Sequence, residues 1–370
     1  MKIALVSSFA PSLTLFRGAL IDALVARGHD VIGMGPERAP DVATALRRRG
    51  ASYARYPLAR AGLDPREDLH TMRSLRRFFQ KTRPDVVLSY THKPVVYGSL
   101  AAHAARVPRV FSMITGLGSA FISTNLKARV AGLAARPLMK AALDVNDGIV
   151  VFNRDIEESF YSWRILDARS PIHRIAGSGV DLAHYTPSPP RTEPLTFLLI
   201  ARLLVDKGIR EFVAAAREVK RDHPYTRFVL VGPYDPNPTA LSRDEVEGWA
   251  KEGVVEVAGA TDDVRPFLRE ASVYVLPSYA EGIPRTVLEA MATGRPVITT
   301  DAPGCKDTVV EGESGFFVPV KDAHALARAM RRFVDDPSLV VTMGRAARAL
   351  AEERFDVHRI NRALIEMMRV

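Results

Sequence analysis

One cysteine, Cys305, stands among 370 residues. That excludes an internal disulfide and a multi-thiolate zinc site, and it fits a reducing compartment. No uninterrupted apolar run approaches the roughly 18 residues of a membrane-spanning helix. The opening MKIALVSSFAPSLTLF has a faint likeness to a secretory leader, yet IALV followed by Ser and Pro reads as a short buried strand and its loop. A cytoplasmic location without a transmembrane helix is therefore expected. No G-K-[ST] phosphate loop occurs, the nine histidines show no metal-ligand spacing, and no G-x-S-x-G elbow follows a strand. No metal or resident cofactor is expected. The fragments GMG (33–35) and GLG (116–118) lack the third glycine and the acidic follow-up of a dinucleotide fingerprint. Cys305, in the loop GCKD, reads as structural rather than nucleophilic.

Acidic residues are scarce in one half only. Residues 1–180 hold 26 Lys+Arg against 14 Asp+Glu, whereas residues 181–370 hold 25 against 28. The net charge of +9 is thus a property of the first half, which points to an acidic partner there: a phosphorylated substrate or an anionic membrane surface. Nucleic acid is disfavoured by the absence of a zinc finger, an RRM signature or an aromatic stacking platform.

What is present is an ordinary globular composition, 47% hydrophobic and 25% charged, long enough for two domains with their own cores. The runs KIALVS, HDVIGMG, PDVVLSY, PRVFSMI and DGIVVFN predict buried parallel strands in the first half. TFLLIAR, RFVLVG, VVEVAG, SVYVLPS and RPVITTD do so in the second. Helical stretches alternate with them, such as FRGALIDALVARG, where Gly28 suits a C-cap. The pattern predicts an α/β chain of two Rossmann-like, doubly wound domains facing a cleft. TPSPPRTEP (186–194), with four prolines, reads as the linker between domains 1–185 and 195–370, the last helix being free to cross back to the first domain.

The strongest local signal is EGIPRTVLEAMATGRPV, just after the strand SVYVLPS. Glu281 sits at a strand-to-loop boundary. Gly282 and Ile283 can bring backbone amides close to a ligand, and Pro284 starts a helix without wasting an amide. Glu289 then lies one to two turns into that helix, on the side of Arg285 or Pro284. Two carboxylates aimed at one cleft suit a hydroxyl-rich ligand, and the helix N-terminus beside them suits a phosphate. As bare chemistry, a surface acid plus a capping acid reads equally well. A second signal is LLIARLLVDKGIREFV, in which Arg202 ends a strand and Lys207–Gly208 open the next helix. Two cations there make a diphosphate clamp.

Together these motifs resemble the retaining glycosyltransferases of family four, of GT-B fold. The resemblance runs through VGPYD, VAGATDDV, VLPSYAEG, GRPVITTDAPG and GESGFFVPV, and through GVDLAHYTP (179–187) at the passage between domains. It implies that Arg202 and Lys207 hold the diphosphate of a nucleotide sugar, that Glu281 binds sugar hydroxyls and that Glu289 binds the ribose. It also implies that Gly282, Ile283 and Pro284 line the donor site, with the loop from Gly259 to Asp263 near the base. In such enzymes the donor's own phosphate takes the acceptor proton, which needs no protein base, only orientation and charge stabilisation.

In the first half, LTLFRGALIDALVARGHDV, THKPVVYGSLAA and ITGLGSAF resemble a narrower subgroup that extends undecaprenyl-diphosphate-linked sugars, including the N-acetylgalactosaminyltransferases acting on diacetylbacillosamine. By that resemblance Arg17, His92, Lys93, Thr115 and Gly116 face the acceptor. The chain departs from the family in two places. SSFAPSLTLF has no paired glycines after the first strand. Thr115-Gly116-Leu117-Gly118 stands where many members carry a histidine. In NLKARVAGLAARPLMKAALDV, the residues Arg129, Arg136 and Lys140 share one helical stripe suited to an anionic membrane surface, and Pro137 suggests a break in the helix. A core helix with snorkelling basic ends fits the same pattern. The expected activity is transfer of an N-acetylhexosamine from UDP to a polyprenyl-diphosphate-linked sugar, on the inner face of the cell membrane. The alternatives are a mannosyl- or galactosyltransferase of polysaccharide synthesis, a GT-B nucleotide-sugar epimerase, or a non-catalytic binding subunit.

Overall fold

All ten of the apolar runs form strands in the computed structural model, which describes residues 1–59, 64–117, 126–237 and 239–370, with the side chains at 126–131 and 134 left aside. Three further strands complete two sheets. The first-half strands are β1 (Lys2–Val6), β2 (Asp30–Gly35), β3 (Ser52–Arg55), β4 (Val86–Tyr90), β5 (Arg109–Ile114), β6 (Gly148–Val151) and β7 (Ile172–Arg174). The second-half strands are β8 (Thr196–Ile200), β9 (Arg227–Val231), β10 (Glu256–Gly259), β11 (Val273–Leu276), β12 (Val297–Thr300) and β13 (Gly315–Val318). Their orders are 3-2-1-4-5-6-7 and 10-9-8-11-12-13, and neighbouring strands pair in parallel throughout. Every crossover therefore has to be a helix or long loop, and both faces become covered.

The three unforeseen strands all end their sheets, and two of them, β3 (SYAR) and β7 (IHR), have partly exposed side chains. They never needed the apolar run that betrays a buried strand. β13 lies in GFFV, whose burial is that of a core strand.

By internal contacts the chain divides into two units, Met1–Ser178 with His358–Val370, and Gly179–Val357. The proline-rich stretch 186–194 lies inside the second unit, whereas the sequence placed the passage there. Arg295 is the reason. It is fully buried and donates to the Ser188 carbonyl at 2.8 Å and hydroxyl at 2.6 Å, fixing that stretch to its own domain. The break at Pro137 is also corrected, because one helix, Leu126–Leu143, runs through it.

In each sheet the strand order reverses beside one strand: β1 lies between β2 and β4, and β8 between β9 and β11. Loops leaving the carboxyl ends at such a point diverge to opposite faces and leave a crevice. The candidate residues cluster at both points.

Candidate functional site

In the second unit, the loops leaving β8 and β11 are welded together. Gly208 has φ +70°, and a Cβ there would clash with the Pro277 carbonyl, so only glycine fits. The Tyr279 amide and Ser278 hydroxyl both donate to the Asp206 carbonyl, at 2.9 and 3.1 Å. This contact brings Lys207 Nζ to 2.6 Å from Glu281 Oε1, the two side chains being only 14% and 18% exposed. Burial works against the Lys207 charge, but the carboxylates of Glu281 and Asp206 outweigh it and its pKa is raised. Lys207 and Glu281, expected to serve separate parts of the ligand, form one ion pair.

Glu281 is held from its other side by the loop leaving β12. Its amide donates to the Pro303 carbonyl at 2.9 Å, and Gly304, at φ +77°, packs so closely that a Cβ would clash with the carbonyls of Glu281 and Gly282. The Glu281–Gly282–Ile283 turn is thus fixed by backbone on both sides. It leads into the helix Arg285–Ala292, with Pro284 as the N-cap.

Glu289, on that helix, is 6% exposed. Burial pushes its carboxyl up, opposed by the Arg285 guanidinium and the Tyr185 hydroxyl, which both donate to it; Arg285 Nε is 2.8 Å away. Tyr185 belongs to GVDLAHYTP and is anchored through its carbonyl by Arg348 Nη1 at 2.9 Å. Both carboxylates act on Tyr274, whose hydroxyl donates to the Ile200 carbonyl at 3.0 Å and pairs with Thr286 at 2.6 Å. Burial, with the charges of Glu289 and Glu281, keeps that phenol protonated. The Gly259–Asp263 loop lies near Tyr185, whose hydroxyl feels the Asp263 charge. Arg265 holds Asp263 down to about 2.

Arg202 is more open, at 56% exposed, and its Nη1 donates to Asp235 Oδ2 at 2.8 Å. Its charge reaches Lys207 and opposes that ammonium, so two cations stand together at the end of β8. Asp235 escaped the sequence reading, although VGPYD contains it. Its loop is tied to the β8 exit by Leu203 N–H to the Pro233 carbonyl and Val205 N–H to the Thr239 carbonyl, both 3.0 Å. Asp235 therefore acts as a positioning residue for Arg202. Asp235→Asn is expected to lower kcat/KM for the donor about five-fold, and to cost nothing further in an Arg202→Ala background. Kinetics on the four proteins of that cycle measure the coupling.

In the first unit, Arg17, His92 and Thr115–Gly116 leave β1, β4 and β5, three adjacent strands. Arg17 is 3% exposed, 5.0 Å over the Tyr90 ring, and donates through Nη1 to the Ser178 hydroxyl at 3.1 Å. Thr91 has φ +67° and ψ 158°, a region nearly reserved for glycine, and such strain clusters at functional sites. Its hydroxyl meets that of Ser8 at 2.8 Å, joining the exits of β4 and β1. His92 Nε2 lies 2.8 Å from the Leu117 carbonyl, and burial lowers its pKa to about 4. It is neutral at pH 7 and donates to that carbonyl, so it supplies no positive charge. The Lys93 charge is matched, with Asp68 Oδ1 at 3.0 Å from Nζ.

The basic stripe of the 126–143 helix is likewise occupied where it is described. Arg136 lies 5.1 Å over the Trp163 ring, and Lys140 pairs with Asp144 and Asp167 at 2.9 and 3.4 Å. The Arg129 side chain and Gly118 lie outside the described residues. Cys305 is buried, and burial raises its thiol to about 12. Among the described residues no cluster of three His, Cys, Asp or Glu could hold a metal ion, and no helix is long and apolar enough to cross a membrane.

Two family models match the chain: a glycosyl transferase 4-like domain over residues 16–176 and glycosyl transferases group 1 over residues 194–336. Among curated proteins, the N,N'-diacetylbacillosaminyl-diphospho-undecaprenol alpha-1,3-N-acetylgalactosaminyltransferase of Campylobacter jejuni is 28% identical over 361 residues, 94% of this chain and 93% of its own length. The capsular polysaccharide biosynthesis glycosyltransferase CapM of Staphylococcus aureus is 24% identical over 303 residues, 78% of this chain and 77% of its own. Among solved structures, a sucrose-phosphate synthase from Thermosynechococcus elongatus has a TM-score of 0.84 at 22% identity, covering 100% of this chain and 98% of that one. Anabaena HepE in complex with UDP has a TM-score of 0.78 at 17% identity, covering 100% of both. At these identities the two structures speak for the fold, which is GT-B.

Proposed function

We propose that this chain, which belongs to the group 1 glycosyltransferases and has their GT-B fold, transfers an N-acetylhexosamine from UDP to a polyprenyl-diphosphate-linked sugar with retention of configuration. The observation that carries the reading is the ion pair of Lys207 and Glu281, 2.6 Å apart beside Arg202, at the reversal point of the second sheet. A cation pair facing a rigid carboxylate fits a sugar diphosphate: the diphosphate takes the charge of Arg202 and Lys207, and Glu281 accepts from sugar hydroxyls. As the bond to the leaving diphosphate breaks, the two cations stabilise the charge that develops on it, and its oxygen receives the acceptor proton on the same face. The amides of Gly282 and Ile283, ahead of Pro284, orient the sugar. Glu289 accepts from the ribose, with Arg285 and Tyr185 fixing its carboxylate, and Gly259 leaves room for the base.

The acceptor falls to the first unit, where Arg17, His92, Lys93, Thr115 and Gly116 flank the strand ends. The diphospho-undecaprenol acceptor of the Campylobacter relative supports a lipid-diphosphate acceptor, and the UDP in HepE supports the nucleotide. The protein then works peripherally at the inner face of the cell membrane, without nucleic acid.

The test is a radiolabelled transfer assay on the purified chain, with UDP-, GDP- and dTDP-sugars and short polyprenyl-diphosphate sugars. Label entering lipid from one UDP-N-acetylhexosamine is expected. Label from a GDP-sugar alone would overturn the donor. Nucleotide-sugar binding without lipid labelling would overturn the acceptor, and a new epimer from donor alone would make the protein an epimerase.

A further inference from the structure

Part of the excess charge of the first half stands on one face of a helix that sugar transfer leaves unused. Pro65–Thr82 buries Thr71, Leu75 and Phe79. At 100° per residue the opposite arc carries Arg66, Arg73, Arg76, Arg77 and Lys81, all exposed. They extend over about 22 Å of helix. The acidic residues Glu67 and Asp68 are confined to the first turn, and Asp68 is taken by Lys93. Among the described residues none of the five cations has an ion-pair partner. Several surface arginines elsewhere are matched to a glutamate: Arg154 to Glu158, Arg210 to Glu245, Arg217 to Glu252 and Arg227 to Glu256. Arg73 and Arg77, and Arg77 and Lys81, stand one turn apart, and like charges at that spacing destabilise a helix left to itself.

The surroundings of this face indicate its partner. The helix His92–Ala104 packs against Pro65–Thr82 on one side and Leu126–Leu143 on the other, so the three form one layer of the first unit. On the Leu126–Leu143 helix of that layer, Leu133 and Leu138 are 56% and 40% exposed, beside exposed Pro137. Phosphate-matching cations and projecting apolar side chains on one helix layer are what a lipid–water boundary binds. Nucleic acid would use the cations and leave the leucines in water.

We infer that this helix layer is the seat of the protein on an anionic bilayer. The five cations of the 65–82 helix meet lipid phosphates, and Leu133 and Leu138 enter the headgroup boundary. The inference rests on the reading above that the acceptor is carried by lipid, and adds the surface that meets it. It also moves the membrane contact away from Arg136 and Lys140, whose charges are engaged within the protein.

The experiment is co-sedimentation of the full chain with vesicles of phosphatidylcholine alone or with about 30% phosphatidylglycerol. It compares the native protein with Arg73→Gln/Arg76→Gln/Arg77→Gln and with Arg221→Gln/Lys251→Gln/Arg328→Gln, which removes equal charge from the second unit. The native protein is expected to bind only the anionic vesicles, more weakly as salt rises. The first variant should lose on the order of a hundred-fold in partitioning, the second little, and both should keep transfer to a short, water-soluble acceptor. Native-like vesicle binding by the first variant, or equal loss by both, would overturn the inference, as would binding to duplex DNA at physiological salt with none to vesicles. Vesicle binding needs neither donor nor acceptor, so a failed transfer assay with intact, helix-dependent binding would sink the catalytic reading alone.

Discussion

Glu281→Gln is expected to lower kcat/KM for transfer by about 10²–10³-fold, the scale of removing one positioned group that acts on the developing charge. The substitution keeps the shape of the side chain, and the turn around it is fixed by backbone contacts to Pro303 and Gly304, so the fold should be unaffected. Two effects act in the same direction. The sugar hydroxyls lose an ionised acceptor. Lys207 loses the carboxylate that sustains its charge against burial, leaving it a poorer partner for the leaving diphosphate at high pH. Affinity for UDP itself should stay level or improve near neutral pH, because Lys207 no longer spends its charge on Glu281. Steady-state kinetics with UDP titration separate the two. Near-native turnover, or equal losses in UDP affinity and turnover, would remove Glu281 from the proposed role.

Lys207→Ala asks the reverse question. In a pair this buried, losing the cation leaves a carboxylate with one partner fewer, a desolvation penalty as well as a lost phosphate contact. Its transfer defect need not match that of Glu281→Gln, and the double variant should be much less than additive, since each residue acts through the other.

How far the sequence carried this picture depends on what each residue does. Nine of the ten expected strands were legible because a strand covered on both faces is a continuous apolar run, whereas β10, expected to be buried, is a half-exposed edge strand; Glu281, Glu289, Arg202 and Lys207 were legible because they sit at fixed offsets from such runs. The partners were not. Asp235 lies 33 residues from Arg202, and Tyr185 more than a hundred from Glu289; only the parallel crossovers bring them together. The same holds for the surface. Arg136 and Lys140 share a stripe in sequence, but Trp163, Asp144 and Asp167 occupy them, whereas the arginines of 65–82 face outward because the helix buries its other side. Helical periodicity tells which residues face the same way. It does not tell what lies opposite.

Glu289 offers the sharpest separation of stability from function. Burial holds its carboxyl above the ordinary carboxylate range even with Arg285 and Tyr185 donating to it. Between the unfolded and the raised native pKa, the folded chain keeps a proton that the unfolded chain has released. Stability contributed here therefore falls as pH rises through that window, and the penalty is complete above it. Glutamine cannot ionise. Glu289→Gln is accordingly expected to be more stable than the native protein at pH 7–8, with the gain vanishing near pH 4, where the unfolded carboxyl is itself largely protonated. Urea unfolding between pH 4 and 8 reads this directly. The same variant should raise the donor KM about 10- to 100-fold, since a bond from a hydroxyl to a charged acceptor is exchanged for one to a neutral amide. A residue whose loss stabilises the fold and weakens the donor is one retained for binding. A variant less stable at pH 8 than the native protein would instead mean that Arg285 and Tyr185 repay the burial in full, and that the carboxylate is a structural strut of its helix.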